Sequence, residues 1–473
     1  MNKILTIVIT GIFILSGIVS ASFNFSNVEY NEKYNYLIIT KDELVDSIIS
    51  SSFIDWKTQI GYNIQIITLS NNEIIKQQGC DIAEQIRNFL REYYQLWEID
   101  YVLLIGDVQD IPMRYCYPDP ENHKDFRGNP ILYDLLGGGE IPTDLYYADL
   151  SQSDSKSWDL DGDGYYGESD EDLPDFTCEV FVGRIPTSIS DEVTYVLDKT
   201  VRFEQDNGDW KKNALHAAGF SYFENETRRE SNLEIDGAVL LNEIEQNIMD
   251  DGWTISHYSE QQGKKTSSYL WKALNEKSFV DDWRENKYAL VNWVSHGYPF
   301  LANRKVWKWD DGDNIPEQFE ITYPIFLRTT SNLDDDFPSI IFAKCCLVGY
   351  PEKNIFGNLG IDLLTKPGFG AGVNIISCTR SPVLQLYYPE LPGGSDSMCY
   401  EFNRFLIDDG NGTETTGEAL YHTKLFYHQN ISFFILWGDI PEYARIAKIS
   451  DYKNLFNFNL YGDPSLKIGG YPN

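Results

Sequence analysis

No two cysteines in the sequence are spaced as CxxC, which removes the commonest ligand pattern of a structural zinc site. The seven present, Cys80, Cys116, Cys178, Cys345, Cys346, Cys378 and Cys399, are too sparse over 473 residues for a disulfide framework. Their odd number leaves at least one thiol outside any disulfide in an exported chain. After the N-terminal segment there is no run of eighteen apolar residues, so no further transmembrane helix is expected. Positive charge is the other shortage: 38 Lys and Arg face 72 Asp and Glu, for a net charge of -34. That balance repels phosphates and argues against nucleic acid as a partner. Low-complexity linkers and short-period repeats are lacking as well.

What remains is a globular composition, 42% hydrophobic, 14% aromatic and 23% charged, in a chain long enough for two or three domain-sized cores. Its start, MNKILTIVITGIFILSGIVSASF, runs from Lys3 through apolar residues to Val19-Ser20-Ala21. This is the layout of a secretory signal peptide over residues 1–21. The competing reading is an uncleaved N-terminal membrane anchor. Either way the bulk of the chain is expected outside the cytoplasm, secreted or extracellular. Its acidity suits a solvated exterior or the binding of cations.

From residue 35 onward short apolar runs alternate with helical periodicity. YLIIT (36–40), NIQIITL (63–69), the apolar YVLLIGD (101–107) and CEVFVGRIP (178–186) read as strands, the third as one covered on both faces. Among them DIAEQIRNFLREYYQLW (81–97) places Ile82, Ile86, Phe89, Leu90 and Tyr93 on one helical stripe. The cycle restarts at ALHAAGF (214–220), followed by a helix from DGAVLL, a strand at WTISHY and a short helix near 269–274. Strands at 288–295, 340–345 and 372–380 and two long helical segments, 396–408 and 416–428, complete the set. Strands alternating with helices give an α/β fold class: two side-by-side α/β units with mostly parallel sheets flanked by helices. The divide falls near QDNGDWKKN, separating an N-terminal α/β subdomain over 22–210 from a second over 211–473.

WDLDGDGYYGESDEDLPD, residues 158–175, sets Asp159, Asp161 and Asp163 at alternate positions before Gly164. A hard cation such as calcium takes about six to eight oxygens from a flexible loop. This spacing offers three carboxylates, a main-chain carbonyl near Tyr165 and a closing carboxylate at the twelfth position, Asp170. Glutamate usually fills that last position, and Glu168 and Glu171 flank it here. A structural Ca2+ is therefore expected, against the competing reading of an acidic surface turn. No organic cofactor is implied.

Two further apolar runs end in reactive side chains. YALVNWVSHGY (288–298) closes on His296 and Gly297, and IIFAKCCLVGY (340–350) on Cys345 and Cys346. A cysteine hydrolase needs a thiolate, a nearby imidazole and backbone N–H groups for an oxyanion. In an open parallel sheet the carboxyl ends of the strands line the ligand crevice, and a glycine there lets substrate backbone approach. A lone cysteine after a strand is more often packed in the core, so the residues alone leave both readings open.

A strand ending in His-Gly, with a strand ending in cysteine about fifty residues on, resembles the caspase-like cysteine peptidases. The closer resemblance is to the gingipain family and covers residues 35 to 470: YLIIT, WKTQIGYNIQII, YVLLIGDVQDIP, PTDLYYADL, EVFVGRIP and NLYGDPSL are similar to its signposts. It implies a caspase/gingipain-like fold and a secreted cysteine-type endopeptidase acting on protein or peptide substrates, after basic residues as in that family. By position it makes Cys346, second of the pair, the nucleophile and His296 the imidazole. The N–H groups of Gly297 and Cys346 become the oxyanion donors, and Cys345 is left facing the core. It puts an acid behind the histidine, Glu179 first and Asp144 second. The family's specificity pocket carries a carboxylate, for which Asp191 and Glu192 are candidates unless they serve only to start a helix; the loop 300–337 is expected to shape the cleft. A catalytically silent calcium-binding or interaction module of the same fold, and a thiol transpeptidase on the same dyad, are the alternatives.

Overall fold

The computed structural model describes residues 35–121, 123, 139–150, 157–227, 234–249, 252–384, 393–409, 414–430 and 441–471. Residues 1–21, where a signal peptide is expected, lie outside the described residues. No helix among those described is long and apolar enough to cross a membrane.

Eleven strands form one sheet. In chain order they are β1 (Tyr36–Thr40), β2 (Ile64–Thr68), β3 (Tyr101–Ile105), β4 (Phe181–Ile185), β5 (Asn213–Ala218), β6 (Thr254–Ser259), β7 (Lys272–Ala273), β8 (Leu290–Val294), β9 (Ser339–Lys344), β10 (Gly372–Cys378) and β11 (Phe458–Tyr461). Across the sheet they lie in the order β7-β6-β5-β8-β9-β10-β11-β4-β3-β1-β2. Strands β5 to β10 run parallel to one another, and so do β1 to β4. Strand β11 joins the two sets, antiparallel to β10 and parallel to β4. The carboxyl ends of the second set therefore share a sheet edge with the amino ends of the first.

The strands are apolar runs because both faces are covered. Successive side chains point to opposite faces: Leu37 and Ile39 of β1 enter one core, Tyr36 and Ile38 the other. The alternation repeats in β9, with Ile340 and Phe342 on the first side and Ile341 and Ala343 on the second. Helices Ile82–Trp97, Gly237–Ile248, Gly394–Asn403 and Thr416–Asn430 cover the first face, and Phe53–Gln59, Ser190–Gln205, Glu276–Glu285 and Leu359–Thr365 the second. The expected stripe on the helix from Ile82 is buried at Ile86, Phe89, Leu90 and Tyr93, and the Asp81 carboxylate starts that helix by accepting the Glu84 N–H.

The two ends of the chain are fastened together in the core. The Tyr36 hydroxyl donates to Asp463 at 2.6 Å, and buried Lys57 lies 2.6 Å from Asp463 and 2.7 Å from Glu204. Removing one member of such a buried charge cluster costs about 3–5 kcal/mol, so this contact fixes β11 in place between the two sets. One local expectation is corrected. The helix expected near 269–274 is instead the two-residue edge strand β7, and the helix comes after it at Glu276–Glu285, where the Asn275 side chain accepts the Ser278 N–H.

Candidate active site

Strands β8 and β9 are parallel neighbours in a register that sets Val294 opposite Lys344. Two residues further along, each chain reaches its reactive side chain, so His296 and Cys346 fall level just past the sheet. The Ser295 N–H donates to the Lys344 carbonyl at 3.1 Å and continues the pairing one step beyond the strands. His296–Tyr298 then turns off to pair antiparallel with Leu301–Asn303. Gly297 packs directly on the neighbouring chain: a Cβ there would stand 2.6 Å from the Cys346 carbonyl oxygen and 3.0 Å from the Cys345 sulfur. His296, Gly297 and Cys346 thus lie on adjoining strand ends at the carboxyl edge of the parallel strands, where an open sheet places its ligand crevice.

The two adjacent cysteines have different surroundings. Cys345 continues the inward phase of Ile341 and Ala343, is 2% exposed, and its sulfur receives the Trp293 indole N–H at 3.2 Å. Burial pushes its thiol well above the usual range. Cys346 is only half-buried, and no disulfide involves any of the seven cysteines. The next residue, Leu347, is left-handed at φ 62°, a conformation costing a non-glycine residue about 1–3 kcal/mol. Three hydrogen bonds hold this turn: Leu347 N–H to the Arg380 carbonyl at 3.4 Å, Tyr350 N–H to the Leu347 carbonyl at 2.9 Å, and Gly349 N–H to the Cys378 carbonyl at 2.9 Å. Strain kept directly after a candidate nucleophile sharpens the turn that presents it.

The His296 ring is oriented by main chain. Its Nε2 lies 3.1 Å from the Phe220 carbonyl. A carbonyl only accepts, so Nε2 carries the proton and Nδ1 the lone pair. Tyr323 meets the ring edge-on, with centroids 5.4 Å apart. Burial, with the Lys305 and Lys344 charges nearby, lowers the imidazole to about 4. Both lysines are themselves paired in the interior, Lys305 with Glu226 and Lys344 with Asp396.

Neither acid expected behind the imidazole reaches it. Glu179 does sit at the correct sheet edge, before β4, but that strand is four places from β8, roughly 19 Å at ~4.8 Å per strand. Its carboxylate accepts the Leu150 N–H at 2.5 Å. Asp144 is held through both oxygens by the Arg184 guanidinium, at 2.7 and 2.8 Å. The Phe220 carbonyl, which sequence patterns do not mark, takes the place of a carboxylate. Asp191 and Glu192 follow β4 rather than precede it, which puts them at the sheet edge opposite the crevice.

A different carboxylate stands beside the crevice. Asp236 is buried, accepts the Ala238 N–H at 3.0 Å to start the helix Gly237–Ile248, and accepts the Ser267 hydroxyl at 2.5 Å. Its neighbour Gly237 presses on the end of β8, where a Cβ would lie 2.9 Å from the Val294 carbonyl. Three acids nearby are matched by cations: half-buried Glu226 by Lys305, and buried Asp396 and Glu260 by Lys344 and Arg304. Asp236 has no ion-pair partner among the described residues. In the sequence it is the N-cap aspartate ahead of a helical stripe, a signal that marks a helix start and hides any second role.

Away from the crevice, the acidic loop brings carboxylate oxygens of Asp159, Asp161 and Asp163 within 4.8 Å of one another. The Tyr165 ring stacks on His123 with centroids 3.7 Å apart. Asp170 does not join them: it is exposed and bound to Lys448 at 2.7 Å. The buried carboxylate that does turn inward is Glu168, which comes within 4.8 Å of Asp161 and Glu171, and likewise of Asp163 and His123. Burial, then the charges of Asp163 and Asp172, push its carboxyl up to about 8.

A sheet covered by helices on both faces, with a histidine and a cysteine at adjoining strand ends, has the architecture of the caspase-like cysteine peptidases. Within that class the chain belongs to Peptidase family C25, whose model matches residues 29–469. The fold is similar to that of gingipain R, an Arg-specific cysteine proteinase, with a TM-score of 0.58 at 18% identity over 93% of this chain and 79% of that one. The complex of the RgpB pro- and mature domains from Porphyromonas gingivalis matches with a TM-score of 0.56 at 18% identity, over 91% of this chain and 79% of that one. A structure described as a protease matches with a TM-score of 0.58 at 13% identity, over 91% and 78%. No curated protein sequence matches the chain.

Proposed function

We propose that the protein is a secreted cysteine endopeptidase that cuts peptide bonds through Cys346 and His296, after basic residues. The observation that carries this reading is the level placement of His296 and Cys346 beyond paired parallel strands, with Gly297 closed against the Cys346 main chain. In this reading the neutral imidazole takes the Cys346 proton at Nδ1 while Nε2–H stays on the Phe220 carbonyl. The thiolate attacks the scissile carbonyl, and the N–H groups of Gly297 and Cys346 hold the oxyanion. His296 gives its proton to the leaving amine, and water hydrolyses the thioester. Export rests on the pattern of residues 1–21.

The test is a fluorogenic peptide library together with a thiol-reactive peptide probe. Cleavage of a subset of peptides, stopped in step with labelling of one thiol, is the expected result. A protein that neither cuts nor labels is the silent module, and one that labels and joins peptides without hydrolysing them is the transpeptidase.

Two outcomes follow for this site. Asp236→Asn removes a charge while keeping an equally good cap, so kcat/KM for Arg and Lys peptides is expected to fall at least about tenfold, ~1.4 kcal/mol, with an unchanged melting curve. Equal losses on neutral peptides would place the basic pocket elsewhere. The second outcome concerns pH. A depressed imidazole pKa means that the ring stays neutral, and competent as a base, down to about 4. The acid limb of kcat/KM is therefore expected clearly below the pH of about 6.5 at which an unperturbed histidine titrates. An acid limb at or above 6.5 would mean that the ring does not keep this setting during turnover.

A further inference from the structure

We propose that the Lys344 ammonium, held at the end of β9 by Asp396, stabilises the thiolate of Cys346 and so sets the pH at which that thiol becomes reactive. The inference rests on the reading of Cys346 as the nucleophile and concerns what activates it besides His296. Lys344 is the last residue of β9 and stands two positions before Cys346. It is 2% exposed, and its ammonium is paired with the buried carboxylate of Asp396, in the first turn of the helix Gly394–Asn403.

Alternation along β9 puts Lys344 on the same side of the chain as Cys346. Ile340 and Phe342 face the first core, and Ile341, Ala343 and Cys345 the second. Lys344 therefore continues the first phase, and two positions along a strand span only about 7 Å. The helix Gly394–Asn403 covers that face, with the Phe402 ring 5.2 Å from that of Phe342. Two buried thiols register both groups at once. Burial raises Cys345 and Cys378, and each also feels the Cys346 sulfur and the Lys344 ammonium. Lys344 and Cys346 thus share one neighbourhood at the end of β9.

The other charges nearby come in matched pairs, Lys305 with Glu226 and Arg380 with Glu352. His296 is kept neutral by burial, with the Lys305 and Lys344 charges adding to the effect. A neutral imidazole cannot be the counter-charge of a resting thiolate, whereas an ammonium can. An opposite charge within about 4–6 Å lowers an acidic group by about one to three pH units, and lysine is among the residues that activate cysteines in this way. When the Cys346 proton leaves, to His296 Nδ1 in turnover or to water at rest, the electron pair stays on a sulfur that faces positive charge.

A buried ion pair also fastens a helix to a strand, but apolar side chains of similar volume fasten as well or better. What an apolar pair cannot supply is a positive charge on the strand that carries Cys346, with the negative charge on the helix packed over it. The effect of that polarity is visible at Cys399, on the same helix: burial raises its thiol, Lys344 pulls it down and Asp396 pushes it up. At Cys346 the two members should likewise act in opposite directions, which a fastener would not do.

The experiment follows alkylation of the full chain by iodoacetamide against pH, with fragment mass spectrometry locating the label on Cys346. In the double variant Lys344→Met with Asp396→Leu, which keeps an apolar contact in place of the pair, the midpoint of the profile is expected to rise by about one pH unit. In Asp396→Asn, which removes only the opposing charge, it is expected to fall. The second variant keeps the proposal testable by itself if the first does not fold. An unchanged midpoint in the double variant, or a midpoint in Asp396→Asn that stays or rises, overturns it and leaves the pair as a fastener. Alkylation needs no turnover, so the two readings fail separately: a chain whose midpoint shifts as expected but that cuts no peptide upholds the role of Lys344 and removes the peptidase.

Discussion

Cys346→Ala is expected to lower kcat/KM on any peptide substrate by at least about 10⁴-fold, while Cys345→Ala keeps activity within about tenfold of the parent. The two residues are neighbours in sequence, and only the alternation of side chains at the end of β9 distinguishes them. Cys345 takes the inward place after Ile341 and Ala343 and packs its sulfur on Trp293. Its loss leaves the Trp293 N–H unmet in the core, a cost of about 1–3 kcal/mol that appears in the melting curve and not in turnover. Cys346 is half-buried at the crevice, level with His296, and precedes the strained Leu347. Its replacement removes the proposed nucleophile and touches little of the core, so its melting curve should match the parent. Steady-state rates and thermal melts on the same two preparations separate the cases. If Cys345→Ala is the dead variant and Cys346→Ala the unstable one, the side chains at the end of β9 are assigned the wrong way round.

The parts of this molecule that could be read from its sequence are those in which one physical rule acts locally. β1, β3 and β9 are built on apolar runs because they are covered on both faces, and they stand where the runs stand. The helix from Ile82 shows its stripe because only one face is buried. Likewise His-Gly and Cys-Cys mark strand ends, since the apolar run stops where the crevice begins. β11 is different. Its four residues come between the helix Pro441–Asn457 and a GDPS turn, and nothing local announces that they fill the gap between β10 and β4. That placement depends on Asp463 meeting Lys57 and Tyr36 from the far end of the chain, a contact without a local signature.

The site divides in the same way. Residue types with their own chemistry were legible, whereas the partner that orients His296 is a main-chain carbonyl, which every residue possesses. The acids that the sequence pattern sets beside His296 illustrate why. Glu179 lies next to a recognisable strand, but the reversal at β11 puts four strand widths between it and the imidazole. Asp191 and Glu192 follow that strand, and the same reversal carries them to the far edge. In the acidic loop, counting to the twelfth position selects Asp170, which is exposed and paired with Lys448, while Glu168 is buried.

Gly297→Ala is expected to reduce kcat about 100-fold, with a much smaller change in KM. The added Cβ would stand 2.6 Å from the Cys346 carbonyl oxygen, 3.0 Å from the Cys345 sulfur and 3.2 Å from a Val348 methyl. The first contact is with main chain and cannot be relieved by a side-chain rotation, so one of the two strand ends must move by several tenths of an ångström. In the proposed mechanism both ends carry the chemistry, His296 and the Gly297 N–H on one and Cys346 on the other. Misplacement of reacting groups by about 1 Å costs on the order of 10²-fold, and the oxyanion donors are equally sensitive to distance. Binding of the peptide away from the scissile bond is untouched, which directs the loss into kcat. The Cys346 thiol should still react with a small alkylating reagent, because the substitution moves the crevice without removing the nucleophile. A variant that turns over within about threefold of the parent would show that Gly297 only fills space between β8 and β9, and that the oxyanion is held by other groups.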